Sequence, residues 1–318
     1  MTPLDERPYA PDLAVILALL LLVLVVASVV GGALAWRTRG RESVVIDNVN
    51  ARIRAWWLMA ATLSVAFLLG ETAIVILFAF VSFNALREFL TLTRRNRADH
   101  YALAASFFLV LPLQYLAIGR GWIGFASVLI PVYAFLGLPV LAILRHRPGH
   151  FLSRISETQW ALMVTVYCLS HVPALLALGI PGFAGREVLL IVFLIVVVQS
   201  GDVLQQITSL LVGRRLIAPE ISRFRTWEGA VIGVAGASAI GGALWWITPF
   251  TPGAAILMAL VATLTGTAGS LVMSAIKRDR GVREWGHLLE AHGGVLDRLD
   301  SVAFAAPVFF HLCRALWA

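Results

Sequence analysis

The chain has 318 residues, of which 59% are hydrophobic and 14% charged, and its mean hydropathy is +0.86. Soluble domains carry about 25% charged residues, so this chain is short of polar surface and its main solvent is lipid. Two cysteines, Cys168 and Cys313, exclude a disulfide scaffold or a cysteine-based zinc cluster, and the net charge of +7 comes from arginine almost alone, Lys277 being the single lysine.

A bilayer core about 30 Å thick takes ~20 apolar residues per helix. On that rule ten spans are predicted, near 13–36, 56–70, 72–92, 101–118, 122–144, 159–178, 187–211, 229–249, 253–275 and 302–317. The first has an acidic lead-in and exceeds a signal-peptide core, so it reads as a retained span. The expected fold is all-α and polytopic, with N-terminal transmembrane helices over 1–186 and a C-terminal catalytic region over 187–318.

The arginines fall unevenly on the loops. Arg37, Arg39, Arg41, Arg52 and Arg54 follow span one, Arg94, Arg95 and Arg97 span three, and Arg145, Arg147 and Arg154 span five. Arg214, Arg215, Arg223 and Arg225 follow span seven, and Lys277, Arg278, Arg280, Arg283 and Arg298 span nine, whereas the alternate loops and ends have only Arg7, Arg120, Arg186 and Arg314. Cytoplasmic loops collect Lys and Arg, so odd-to-even loops are expected inside and both termini outside. The charge is then topological, and no nucleic-acid partner is expected.

Within span seven, Gln199, Asp202, Gln206 and Ser209 fall on one stripe of an apolar helix. A carboxylate inside a span costs about 3 kcal/mol, so Asp202 reads either as a wall of a wet cavity or as part of a hydrogen-bonded seam between helices. The following loop groups Arg214, Arg215, Arg223 and Arg225 around Ser222, Thr226 and Glu228. Arginine forks and hydroxyls suit phosphate oxygens, and the same composition also fits cytoplasmic loop charge with no ligand. Span nine runs on into a long polar segment. If its helix continues, Ser270, Ser274 and Lys277 share one face with Arg278 beside it. His292, Gly293 and Gly294 then form a turn, followed by Asp297, Arg298, Asp300 and Ser301, whose two carboxylates one helical turn apart suit Mg²⁺. His171, in span six, reads as a packing or kink residue.

Taken together, Ser274, Lys277, Arg278, His292, Gly293, Gly294, Asp297, Arg298, Asp300 and Ser301 resemble the signature of the phosphatidate cytidylyltransferase family. Upstream, Ile221, Ser222, Thr226, Glu228 and Gly229 resemble that family's I-S-P-K-K-T-x-E-G, and Asp202 falls where the family has an acidic residue. The match covers roughly residues 199 to 301. The resemblance implies an inner-membrane enzyme with a cytoplasm-facing cavity, joining CTP to phosphatidic acid or a related lipid phosphate with Mg²⁺, and allows a homodimer. It implies Asp297, Asp300 and Asp202 as metal ligands and Lys277, Arg278, Arg298 and Arg225 as phosphate holders. His292 is implied to orient phosphate, with Ser222, Thr226, Glu228, Ser274, Gly293 and Gly294 contributing to substrate binding. The chain departs from the pattern at Ser270, where the family usually has a metal-holding Asp after Gly269. A non-catalytic relative that binds nucleotide or lipid phosphate is therefore the second reading.

Overall fold

The computed structural model describes residues 8–37, 44–92, 100–144, 150–222, 225–282, 284–286 and 293–318. Among them the chain is built of helices, and a bridge of β type pairs Leu216 with Thr226. In chain order the helices are α1 (Ala10–Arg37), α2 (Val44–Leu69), α3 (Glu71–Thr91), α4 (His100–Gly119), α5 (Ile123–Ile143), α6 (Phe151–Ala177), α7 (Val188–Val212), α8 (Trp227–Ala243), α9 (Pro252–Asp279) and α10 (Leu296–Leu316). Eight of these are long and apolar enough to cross a membrane. The two other expected spans are shorter: in α2 the apolar part is Trp56–Leu69, and α8 has 17 residues.

Contacts at the two ends of the bundle show that the two shorter helices run from one end of it to the other. At one end Asp12, opening α1, pairs with Arg186, just ahead of α7, and Phe250, ahead of α9, packs on Trp317 beyond α10. At the other end Arg280, after α9, pairs with Glu157 near the start of α6 at 2.9 Å, and Glu88 near the end of α3 meets the start of α10. Ten alternating helices satisfy all these pairings, with the start of α1 and the end of α10 at the same end.

Apolar side chains cover the bundle on both faces. Leu19, Leu22, Val23, Phe80, Phe108 and Leu136 are exposed, as a lipid-facing surface requires, while Leu86, Val166, Leu189, Phe193, Leu194 and Phe310 are fully buried between helices. Helices α4, α5 and α6 each contain a wide turn, at Ser106–Val110, Leu129–Ala134 and Met163–Cys168. Pro131 lies inside the second and Pro112 just beyond the first, where a missing N–H and a ring clash favour local widening. His171 is buried in α6, its Nδ1 2.8 Å from the Tyr167 carbonyl and its ring against Phe310 and His311, as expected of a packing residue.

Helices α7 and α8 approach backbone to backbone. The face of α8 toward α7 is small, and a Cβ at Gly233 would stand 2.9 Å from the Gln205 backbone nitrogen. Small residues replace hydrophobic driving force with close contact inside a membrane. Thr226 caps α8 by accepting from the Gly229 amide at 3.1 Å, and Thr251 caps α9 just ahead of Pro252.

Candidate functional site

The site lies at the end of the bundle where α3, α7 and α9 finish and α8 and α10 begin. Helix α9 continues unbroken to Asp279, so Ser270, Ser274 and Lys277 do share a face, turned toward α10. Lys277 Nζ donates to Asp297 Oδ1 at 2.7 Å, and the two side chains are only 14% and 10% exposed. Asp297 Oδ2 accepts from the amides of Trp285 at 2.8 Å and Gly294 at 2.9 Å. Gly293 has φ of +80°, a left-handed turn that glycine adopts without strain, which brings the chain back over this carboxylate. His292 lies outside the described residues.

One turn further along α10, Asp300 faces the opposite wall. Its Oδ2 accepts from Ser270 Oγ at 3.0 Å and its Oδ1 from the Ser301 amide at 2.8 Å. Ser301 Oγ donates in turn to Asp202 Oδ2 from α7. The Arg225 guanidinium closes the group: Nη1 donates to Gln205 Oε1 at 3.2 Å, Nη2 donates to Ser270 Oγ, and Nη2 lies 3.8 Å from Asp202 Oδ1. Asp300 and Arg225 thus flank Ser270, and Asp202 meets Arg225 and Ser301.

The three carboxylates expected together are therefore divided. Asp202 and Asp300 form a pair, and Asp297 stands apart with Lys277. Among the described residues no three acidic, His or Cys side chains gather as a metal group. The reason is positional. Asp297 belongs to the first turn of α10 and folds back onto the chain just ahead of it, whereas Asp300 points down between α7 and α9.

Other expected residues take supporting places. Thr226 Oγ1 donates to Ser209 Oγ at 3.0 Å, and the Glu228 carboxylate accepts from the amides of Arg214 and Arg215, so both tie the loop after α7 to α8. Ser222 lies in that loop, and Arg278 Nε donates to the Ile221 carbonyl beside it at 3.2 Å. Ser274 Oγ turns back to the Ser270 carbonyl. The Arg298 carbonyl accepts from Gln199 Nε2 at 3.0 Å, joining α7 to α10.

Gln205, and not the expected Gln206, completes the wall of α7: Gln205 is 3% exposed while Gln206 is exposed. Seven residues past Gln199 is about 10 Å along the helix, which carries Gln206 past the start of α10 and out of its cover. Helix α10 itself is recessed. Asp300 is level with Ser270, yet it lies four residues into α10 while Ser270 lies nine before the end of α9, so α10 begins about 8 Å short of the end of α9. Residues 284–286 lie against α10, with Trp285 2% exposed.

This arrangement of lysine, arginine and paired carboxylates at one membrane face accompanies clear sequence kinship. The cytidylyltransferase family model matches residues 50–316. The chain belongs to the cytidylyltransferase family. It is 36% identical over 301 residues to the uncharacterized protein YnbB of Escherichia coli, covering 94% of this chain and 97% of that protein. It is also similar to the phosphatidate cytidylyltransferase of Mycobacterium leprae, 37% over 151 residues, which covers 44% of this chain and 48% of the relative. The phosphatidate cytidylyltransferase of Pseudomonas aeruginosa is 37% identical over 132 residues, 41% of this chain and 48% of the relative. The chain thus spans about half the length of those enzymes, and almost all of YnbB. As a member of this family it is a multi-pass membrane nucleotidyltransferase.

Proposed function

We propose that the chain condenses CTP with phosphatidic acid, or a closely related lipid phosphate, to give CDP-diacylglycerol and pyrophosphate at the cytoplasmic face of the inner membrane. The observation that carries the reading is the group of Lys277, Arg225 and two paired carboxylates recessed in a membrane face, in a chain related to phosphatidate cytidylyltransferases. Arginine loops at the site end supply the orientation, because such loops face the cytoplasm where CTP is present.

In the reaction an oxygen of the lipid phosphate attacks the α-phosphorus of CTP. A new P–O bond forms as the bond to the bridging oxygen breaks, and pyrophosphate leaves with that electron pair. Both partners are anions, so the protein's task is to neutralise charge and hold the groups in line. Lys277, already oriented by Asp297, presents one ammonium, while Arg225 and Arg278 present guanidinium forks that match phosphate oxygens. A monoester phosphate is a competent nucleophile near neutral pH, so no general base is required.

The donors fit one divalent cation. Each oxygen of Asp202 and Asp300 carries a single close hydrogen bond or ion-pair partner, which leaves lone pairs free, and Mg²⁺ is commonly held by one or two carboxylates plus substrate phosphates. Bound there, Mg²⁺ would offset the charge that develops on the transferring phosphoryl group. Among the described residues a third acidic ligand does not accompany them, and Ser270 stands between Asp300 and Arg225.

The same observation gives the second reading its weight: with Arg225 already seated against Ser270 and Asp202, the group can persist as an ion-paired seam in a chain that binds nucleotide or lipid phosphate without turnover. One assay separates the two. Purified protein in phosphatidic acid-containing nanodiscs with labelled CTP and Mg²⁺ is expected to form CDP-lipid and pyrophosphate in equal amounts. Binding of CTP with no product under these conditions, across phosphatidic acid and other lipid phosphates, overturns the enzymatic reading.

A further inference from the structure

Helix α3 lies outside the segment that carries the signature, yet its end reaches the site. Glu88 is 4% exposed, and both of its oxygens are used: Oε1 accepts from the Val295 amide at 2.9 Å and Oε2 from the Leu296 amide at 3.0 Å. These are the orphan donors at the start of α10, and they would ordinarily be met by a cap residue next to them. The residue in that place is Val295, whose side chain accepts nothing, so the chain brings its cap from 207 positions away. Gly294 is part of the fit, because a Cβ there would stand 2.2 Å from Glu88 Oε2.

The neighbouring residue holds the second segment. The Phe89 ring stacks on Trp285 at 4.8 Å between centroids and 18° between planes, and the Trp285 amide donates to Asp297 Oδ2. Gly294 donates to the same oxygen. Two consecutive residues of α3 therefore grip both strands of chain that grip Asp297, and Asp297 in turn orients Lys277.

Resting on the function proposed above, we infer that Glu88 is a positioning residue of the site. It fixes the start of α10 and, through Gly294 and the Trp285 segment, the depth and direction of the Asp297–Lys277 pair. Helix α3 is thereby the frame on which the C-terminal half sets its phosphate-facing lysine. The carboxylate also occupies amides that an anionic substrate would otherwise find at a helix start, so the substrate's phosphates are left to the side-chain cations.

Amide hydrogen exchange and kinetics on the full-length protein test this. In Glu88→Gln the amide NH₂ faces one of the two backbone donors, so peptides covering 293–297 are expected to exchange about tenfold faster, with peptides of α7 and α8 unchanged. Turnover is expected to fall about tenfold or more, while KM for CTP and for the lipid stays within about threefold, since the side chains that bind phosphate are untouched. Retained protection with wild-type kcat overturns the inference. So does faster exchange across the whole chain with unchanged kcat per folded molecule, which is the mark of a merely structural contact. Should the Gln variant fail to accumulate, Phe89→Leu carries the test: exchange at 284–286 and a drop in kcat support it, and neither change overturns it. If the wild-type protein turns over no lipid phosphate, the enzymatic reading fails by itself, and the exchange data alone still decide whether Glu88 sets the start of α10.

Discussion

Asp297→Asn isolates the pair on which the phosphate-facing lysine depends. The amide is nearly isosteric, but it has one acceptor where the carboxylate has two. Its best pose keeps the oxygen on the amides of Trp285 and Gly294 and turns the NH₂ toward Lys277 Nζ, donor against donor, where the carboxylate oxygen lay at 2.7 Å. The direct loss is one charge-assisted hydrogen bond, about 1.5–3 kcal/mol. Removing one partner of a fully buried ion pair costs about 3–5 kcal/mol, and the 14% and 10% exposure of these side chains places this pair somewhat below that, so about 2–4 kcal/mol of stability is expected to go. Turnover is expected to fall further, by about 100-fold or more, because a misdirected cation no longer meets the charge developing on the phosphoryl group. The measurements are CDP-lipid formation from labelled CTP, thermal unfolding in detergent, and a double-mutant cycle with Lys277→Met. The double variant is expected to regain at least about 1 kcal/mol over additivity and no activity. An Asn variant that works within threefold of wild type per folded molecule refutes the reasoning, and one whose activity loss equals its loss of folded protein makes Asp297 purely structural.

Ser270→Asp adds a carboxylate beside Asp300 and Arg225; the Mg²⁺ concentration for half-maximal rate is expected to fall several-fold, and an unchanged metal dependence removes position 270 from the metal's surroundings. Gly233→Ala forces a Cβ against the Gln205 backbone, whereas Gly236→Ala meets only the tip of the Leu204 side chain, so thermal unfolding should show the first costing about 1–3 kcal/mol and the second less. A cysteine replacing Asp279, at the site end, is expected to react only with reagent that enters the cytoplasm, and one replacing Gly182, at the opposite end, with impermeant reagent from outside; the reverse pattern overturns the orientation.

Much of this site is local in sequence and could be read there. Ser270, Ser274 and Lys277 follow helical spacing, and the acidic turn after the glycines sits where α10 begins, so their meeting across α9 and α10 follows from period and order. Ten alternating helices could be read from hydropathy together with arginine placement, although two of the segments are shorter than a full span. What escaped is long-range. Glu88 meets Leu296 across 208 positions, and no pattern in either stretch names the other. One signal was present: a carboxylate in the apolar run F-N-A-L-R-E-F-L is costly and calls for a partner. Helical period points to Gln206 and not to Gln205, because period alone does not tell which flank of α7 the small face of α8 covers. Likewise the division of the three carboxylates depends on Asp297 folding back onto its loop, a matter of cap geometry and not of spacing.

On the function proposed above, the recessed start of α10 has a consequence for how a water-insoluble substrate would be served. Lifting a two-chain lipid out of the bilayer to meet a site at helix-end height would forfeit about 0.8 kcal/mol for every CH₂ exposed, tens of kcal/mol if both tails came free. An α10 start set about 8 Å short of the end of α9 would reduce that penalty, by holding Arg225 and the paired carboxylates nearer the depth of the lipid. A phosphate that dips to this level keeps its tails among other tails, and the water-soluble nucleotide is the partner that travels. On that reading, diffusion within the plane of the membrane replaces extraction from it.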